Sequence, residues 1–182
     1  MPQLNEYGLE LIKSYERLRL TSYDDGYGYL TIGYGHTSDK FFEVKPNQTI
    51  DEPKAIELLR YDITEAEEIV IRQLLYKDEL NDNQYSALVS IAFNSGSFKY
   101  RKNNGEIALT QLLVALNNKD YITAASVIRI HKVTSKGKAV LGLGRRRLCE
   151  YYLFTSYMTN DLQPKEWTKF VRSESERILL PT

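Results

Sequence analysis

The sequence predicts an α+β fold in which a small sheet-bearing lobe and a larger helical lobe are joined by a long helix, with a cleft between the lobes. Three observations predict it. Residues 17–37 form a block of glycines and tyrosines set between two stretches of helical periodicity. Apolar residues then recur at helical spacing from Thr49 to Val70, long enough for a connecting helix. From Asn81 onward helical segments follow one another with no internal repeat and no low-complexity linker. The expected layout is one domain over 1–182, with a sheet lobe at about 16–49. The helical lobe takes about 1–15 and 50–155, and a C-terminal helical extension takes 156–182.

Each element has a local reason. Asn5 is a good N-cap for a first helix, and Leu9, Ile12 and Tyr15 share one of its faces. The pattern stops near Glu16. Asp25-Gly26 is a hairpin-turn signal within an alternating Tyr27, Tyr29, Thr31 segment, so a small antiparallel sheet follows, with Phe41–Val44 as its extension. Thr49 and Glu52 have capping-box spacing, and Ala55, Leu58, Leu59, Ile63, Ala66 and Val70 continue that helix. Tyr85, Leu88, Val89, Ala92 and Phe93 define a helix from about Asn81 to Asn94, with Gly96 as its C-cap. Leu109–Leu116 and Tyr121–Ile128 mark two more, and the last two are read at Arg145–Tyr157 and Pro164–Leu179.

Composition narrows the function. Lys+Arg and Asp+Glu each number 24, so the chain has zero net charge and little long-range attraction to nucleic acid or an anionic membrane. The single cysteine, Cys149, permits no intrachain disulfide. Met1–Ser14 holds no apolar run of signal-peptide or membrane-span length, so a protein made in the cytoplasm, without membrane insertion, is expected. Two histidines and one cysteine make no familiar zinc site. The glycines of GYGYLTIGYG match neither a dinucleotide nor a P-loop spacing. Most of the 14 tyrosines read as packing residues, although such amphipathic rings also suit sugar clefts.

The chemistry is carried by carboxylates. Glycoside hydrolysis needs a proton donor and a second, ionised carboxylate flanking the scissile bond. A glutamate closing an apolar helix suits the first task, and an aspartate at a hairpin turn suits the second. Glu16 and Asp25 meet that description, and the Thr31 hydroxyl on the hairpin is placed to hold a water. With 24 acidic residues such a pair is weak evidence alone. The segment Glu16–Thr37, ERLRLTSYDDGYGYLTIGYGHT, adds to it. It closely resembles the signature of the phage-type lysozymes, the T4-like and lambdoid endolysin family of glycoside hydrolases. That family places a Glu, an Asp nine residues on and a Thr six further, here Glu16, Asp25 and Thr31. Gly8–Lys13, Ile50–Val70, Asn83–Gly96, Asn117–Ala125 and Gly142–Glu150 resemble its helices, so the likeness covers about residues 4–155.

The resemblance implies a lysozyme-like fold and a muramidase that cuts the β-1,4 bond between N-acetylmuramic acid and N-acetylglucosamine in peptidoglycan. Glu16 is implied as general acid, Asp25 as the carboxylate that stabilises the transition state or assists the nucleophile, and Thr31 as the residue holding the attacking water, with no metal or organic cofactor. Tyr23, Tyr34 and Asn94 are candidate substrate-binding residues, with a helix C-cap as the alternative for Asn94. His36 is expected to be structural, bonded to a carboxylate, and His131 to lie at the surface or half-buried. The Arg145–Arg147 run is read as ion-paired at a helix start. A monomer delivered to the wall by a holin or another export route is expected, with a virion-associated or secreted antibacterial lysozyme, or a silent glycan-binding module, as alternatives. One departure stands out. The family has glycine directly after the catalytic glutamate, and here Arg17 occupies that place, which predicts either a strained left-handed backbone or a different local turn.

Overall fold

The computed structural model describes residues 1–135, 138–155 and 173. Its elements run α1 (Glu6–Tyr15), β1 (Arg19–Asp24), β2 (Leu30–Gly33), β3 (His36–Thr37), α2 (Glu52–Gln73) and α3 (Asp82–Ser95). Then follow β4 (Lys99–Arg101), β5 (Ile107–Leu109), α4 (Gln111–Asn117), α5 (Tyr121–Ile128), β6 (Thr134–Ser135), β7 (Lys138–Ala139) and α6 (Leu141–Phe154). The arrangement is the α+β one expected. The helix expected at Pro164–Leu179, with Trp167, Phe170, Val171 and Ile178, lies outside the described residues except for Ser173.

The chain forms two compact units, one of Ile12–Glu65 and one of Met1–Leu11 with the described residues from Ala66 on. Both boundaries fall inside helices, α1 and α2. The first half of α2 goes with the sheet unit for a packing reason: Leu58 forms a core with Ile32 and Val44, against which Leu30, Phe42 and Ile50 pack.

In the Ile12–Glu65 unit, β1, β2 and β3 make an antiparallel sheet in that order. Tyr23 pairs with Thr31 and Asp24 with Leu30 across β1–β2, and Thr31 pairs with Thr37 across β2–β3. Opposed residues of an antiparallel pair share a face, so Tyr23, Thr31 and Thr37 lie on one side, and Ile32 and His36 on the other. Phe41–Val44 is not a strand. The Asp39 carboxylate takes the N–H groups of Phe41 and Phe42 at 2.8 and 2.9 Å, and Ser38 Oγ takes that of Val44 at 2.9 Å, so three of the four donors there are drawn away from a ladder. The Thr49–Glu52 capping box is also replaced. Thr49 bridges Thr21, and Asp51 caps α2 by accepting from Lys54 N–H at 2.9 Å.

In the other unit, α3 is the buried axis. Tyr85 through Ala92 are all buried, and α3 packs on α6 while α5 packs on both α4 and α6. Asn81 caps α3 in a full capping box with Gln84, and Gly96 closes it at φ 70°. Asn5 caps α1 as expected, accepting from Gly8 N–H at 3.0 Å. Gly8 itself is dictated by α3: a Cβ there would lie 2.5 Å from Ser86 Cβ. The β4–β5 hairpin had no counterpart in the sequence reading, although Asn103-Asn104-Gly105 carries the turn residues for it. α6 starts at Leu141 rather than Arg145, running through Gly142 and Gly144 despite their low helix propensity.

Candidate active site

Glu16, Asp25 and Thr31 all belong to the Ile12–Glu65 unit. Glu16 follows α1 directly, its N–H bonded to Ile12 O at 3.1 Å, so the last turn of the helix carries it, half-buried, at the entry to β1. Asp25 stands at the hairpin tip. Its Oδ1 accepts from Tyr27 N–H at 2.8 Å and from Tyr29 N–H at 3.2 Å, and its own N–H donates to Tyr29 O at 3.1 Å. The preceding Asp24 secures the same turn by accepting from Gly26 N–H at 2.7 Å. Gly26 and Gly28, at φ 83° and 91°, supply the left-handed residues that this tip requires.

Thr31 is nearly buried, and its hydroxyl donates to Tyr29 O at a long 3.4 Å. Asp25 and Thr31 therefore engage the same peptide oxygen, from either side of Tyr29. This shared anchor sets the spacing of carboxylate and hydroxyl. It leaves Asp25 Oδ2 outside the turn bonds, and the Thr31 hydroxyl is held loosely enough to turn toward a bound water. Tyr23 stands opposite Thr31 on the same sheet face, half-buried, with the Arg19 guanidinium 4.5 Å above its ring.

The remaining candidates separate. Tyr34 is 6% exposed and lies in the core of its unit. The exposed tyrosines of the hairpin are instead Tyr27 and Tyr29, which sequence reasoning did not select; their place between glycines at a turn was the available signal. His36 is a brace. Its Nδ1 is 2.8 Å from Asp62 Oδ1 on α2, and its Nε2 is 3.4 Å from Phe42 O and 3.7 Å from Asp39 Oδ1. Burial raises the Asp62 carboxyl above the usual carboxylate range, and its hydrogen bond to His36 opposes that. The backbone N–H groups of Phe42 and Phe41 hold the Asp39 carboxyl below it.

Arg17 is exposed and does not adopt a left-handed backbone; the only non-glycine residues with positive φ among those described are Asn47, Lys119 and Lys132. The strain considered for this position is absent, and the local turn accepts a side chain. Asn94, in the other unit, is not the C-cap of α3, since the helix continues to Ser95 and Gly96 closes it. Its Oδ1 accepts from an Arg147 guanidinium N–H. Arg147 and Arg146 share Glu150, whose Oε1 also accepts from Ser90 Oγ at 2.7 Å. Arg146 and Arg147 are thus ion-paired as expected, although inside α6 rather than at its start, and they are buried with Glu150 rather than presented to a ligand. His131 is buried too, at 6% exposure, packed edge-on against Phe98. Among the described residues no cluster of His, Cys, Asp and Glu is arranged to hold a metal ion, and no helix is long and apolar enough to cross a membrane.

The chain is similar to known proteins over most of its length. Residues 13–150 match the Phage lysozyme family. The endolysin of Salmonella phage P22 is 36% identical over 157 residues, covering 86% of this chain and all of its own. The endolysin of Acyrthosiphon pisum secondary endosymbiont phage 1 is 35% identical, covering 84% of this chain and 98% of its own. Among solved structures, the active form of P1 phage endolysin Lyz superposes with a TM-score of 0.73 at 25% identity, over 87% of this chain and 88% of its own. A P22 lysozyme mutant gives 0.69 at 34% identity, over 85% and 99% of the two chains. With the Glu, Asp and Thr of the signature gathered in one compact unit, the chain belongs to the phage lysozyme family and is a lysozyme-type glycoside hydrolase.

Proposed function

We propose that this enzyme hydrolyses the β-1,4 bond between N-acetylmuramic acid and N-acetylglucosamine in peptidoglycan, with Glu16 as general acid, Asp25 as the charge-stabilising carboxylate and Thr31 as the water-holding residue. The observation that carries the reading is the Tyr29 carbonyl oxygen, shared by the Asp25 N–H and the Thr31 hydroxyl, in the unit that also holds Glu16. Glu16 protonates the leaving glycosidic oxygen. Charge then develops on the sugar ring, where a carboxylate held by backbone N–H groups stabilises it without reorganising. A water on Thr31 Oγ1 completes the hydrolysis. Tyr23, beside Thr31, serves as a substrate contact.

In this reading the enzyme acts as a monomer. It is made in the host cytoplasm and reaches the wall when a holin or another export route opens the way, ending in host lysis. The test is mass spectrometry of the fragments released from purified peptidoglycan. Wild-type protein is expected to give muropeptides with a reducing muramic acid end, and Glu16→Gln none. Fragments ending in reducing glucosamine would refute the bond assignment, and undiminished release by Glu16→Gln would refute the role of Glu16.

A further inference from the structure

The hairpin tip does more than hold Asp25. Tyr27 is 86% exposed and Tyr29 63%, the most open aromatic rings among the described residues. An exposed ring normally has a mobile backbone beneath it, but here four hydrogen bonds close the tip. Asp24 Oδ1 takes Gly26 N–H, Asp25 Oδ1 takes the N–H groups of Tyr27 and Tyr29, and Asp25 N–H reaches Tyr29 O. Tyr27 is therefore pinned through its own N–H, at 2.8 Å, to the carboxylate proposed to stabilise the reacting sugar. Nothing lies within 4 Å of the Cβ positions of Gly26 or Gly28 on either side, so the space around the ring is open.

The geometry points to Tyr27 as a specificity-determining residue: a stacking platform, with Tyr29 beside it, for a hexosamine ring of the glycan strand bound next to the bond held at Asp25. An aromatic face paired with a polar hydroxyl edge matches a pyranose, which presents an apolar C–H face and a polar rim. The Tyr27 N–H is 2.8 Å from the Asp25 carboxylate, so a sugar stacked on the side chain it carries is bound next to the bond held at Asp25. Stacking of this kind is made equally in ground and transition states, so it acts on KM rather than on kcat. The inference rests on the muramidase reading, and on Asp25 as part of its centre.

The experiment compares Tyr27→Ala, Tyr27→Phe and wild type in the full chain, by kcat and KM on purified peptidoglycan. Binding of soluble glycan fragments to each is also measured in a Glu16→Gln background. Tyr27→Ala is expected to raise KM about fivefold and weaken binding by a similar factor. kcat and melting temperature should stay near wild type, since the ring is exposed. Tyr27→Phe is expected to restore KM, because the ring and not the hydroxyl does the stacking. An unchanged KM and fragment affinity in Tyr27→Ala, or Tyr27→Phe behaving like Tyr27→Ala, overturns the platform. If Glu16→Gln itself remains active, the catalytic reading fails instead, and the affinity comparison still decides the role of Tyr27.

Discussion

Glu150 is fully buried on α6, and its two carboxylate oxygens serve three donors. Oε1 takes Ser90 Oγ at 2.7 Å and Arg146 Nε at 3.2 Å, while Oε2 takes an Arg147 N–H. Glu150→Gln keeps the shape and removes the charge. Two guanidiniums, 3% and 0% exposed, then lose their common counter-ion, and the new amide N–H₂ turns a donor toward one of them. Breaking a buried pair by removing one partner costs about 3–5 kcal/mol, because the charge left behind is neither solvated nor compensated. In a protein of this size each kcal/mol moves the melting temperature by about 2–4 °C, so a drop of roughly 6–20 °C is expected. The assay is calorimetric or circular-dichroism melting at pH 7, with urea unfolding to give the free energy. Ser90→Ala removes one donor to the same oxygen and should cost less, about 1.5–3 kcal/mol. A Glu150→Gln melt within 2–3 °C of wild type, on the order of 1 kcal/mol, would refute the reasoning, since it would mean that the arginines are served without the carboxylate.

Further outcomes follow from the same contacts. His131 is held neutral, its pKa lowered to about 4 by burial first and then by the nearby Arg147 and Lys132 charges. The native state therefore binds fewer protons than the unfolded chain between pH 6.5 and about 4. Stability is full above that window and falls through it, by up to about 3 kcal/mol. Urea titrations from pH 7.5 to 4.5 should show this slope in wild type and a shallower one in His131→Phe; equal slopes would remove His131 from the acid response. Gly8→Ala puts a methyl 2.5 Å from Ser86 Cβ and 2.8 Å from Leu4 Cδ1, so overpacking of about 1–3 kcal/mol is expected by urea unfolding, against a helix-propensity gain of under ~1 kcal/mol. Thr31→Val keeps the branched shape in the strand and removes the hydroxyl, and should lower kcat by at least about tenfold, roughly 1.4 kcal/mol of barrier, with the fold intact. Activity at the wild-type level in that variant would dismiss the water-holding role.

The elements and the catalytic signature were legible in the sequence because both depend on near neighbours. An N-cap such as Asn5 or Asn81 bonds a backbone group three residues away, and a turn such as Asp25-Gly26 closes on itself. Helical spacing from Ala55 to Val70 and from Tyr85 to Ala92 follows from the turn of the helix itself. Glu16, Asp25 and Thr31, the proposed catalytic residues, were singled out by the same kind of local pattern. The tertiary structure decided which side of each pattern faces water. Tyr27, Tyr29 and Tyr34 occur in one glycine-rich run, yet Tyr34 is buried and Tyr27 is open. His36 needed a carboxylate, but the choice of Asp62, 26 positions on, came from the packing of α2 against the sheet. Arg145–Arg147 reads the same on paper whether solvated or buried. The approach of α3 to α6, which places Ser90 and Asn94 beside Arg146 and Arg147, turned it into an internal network. Local sequence sets what a segment can become, and the desolvation that gives a charged or aromatic side chain its role is set by residues distant in the chain.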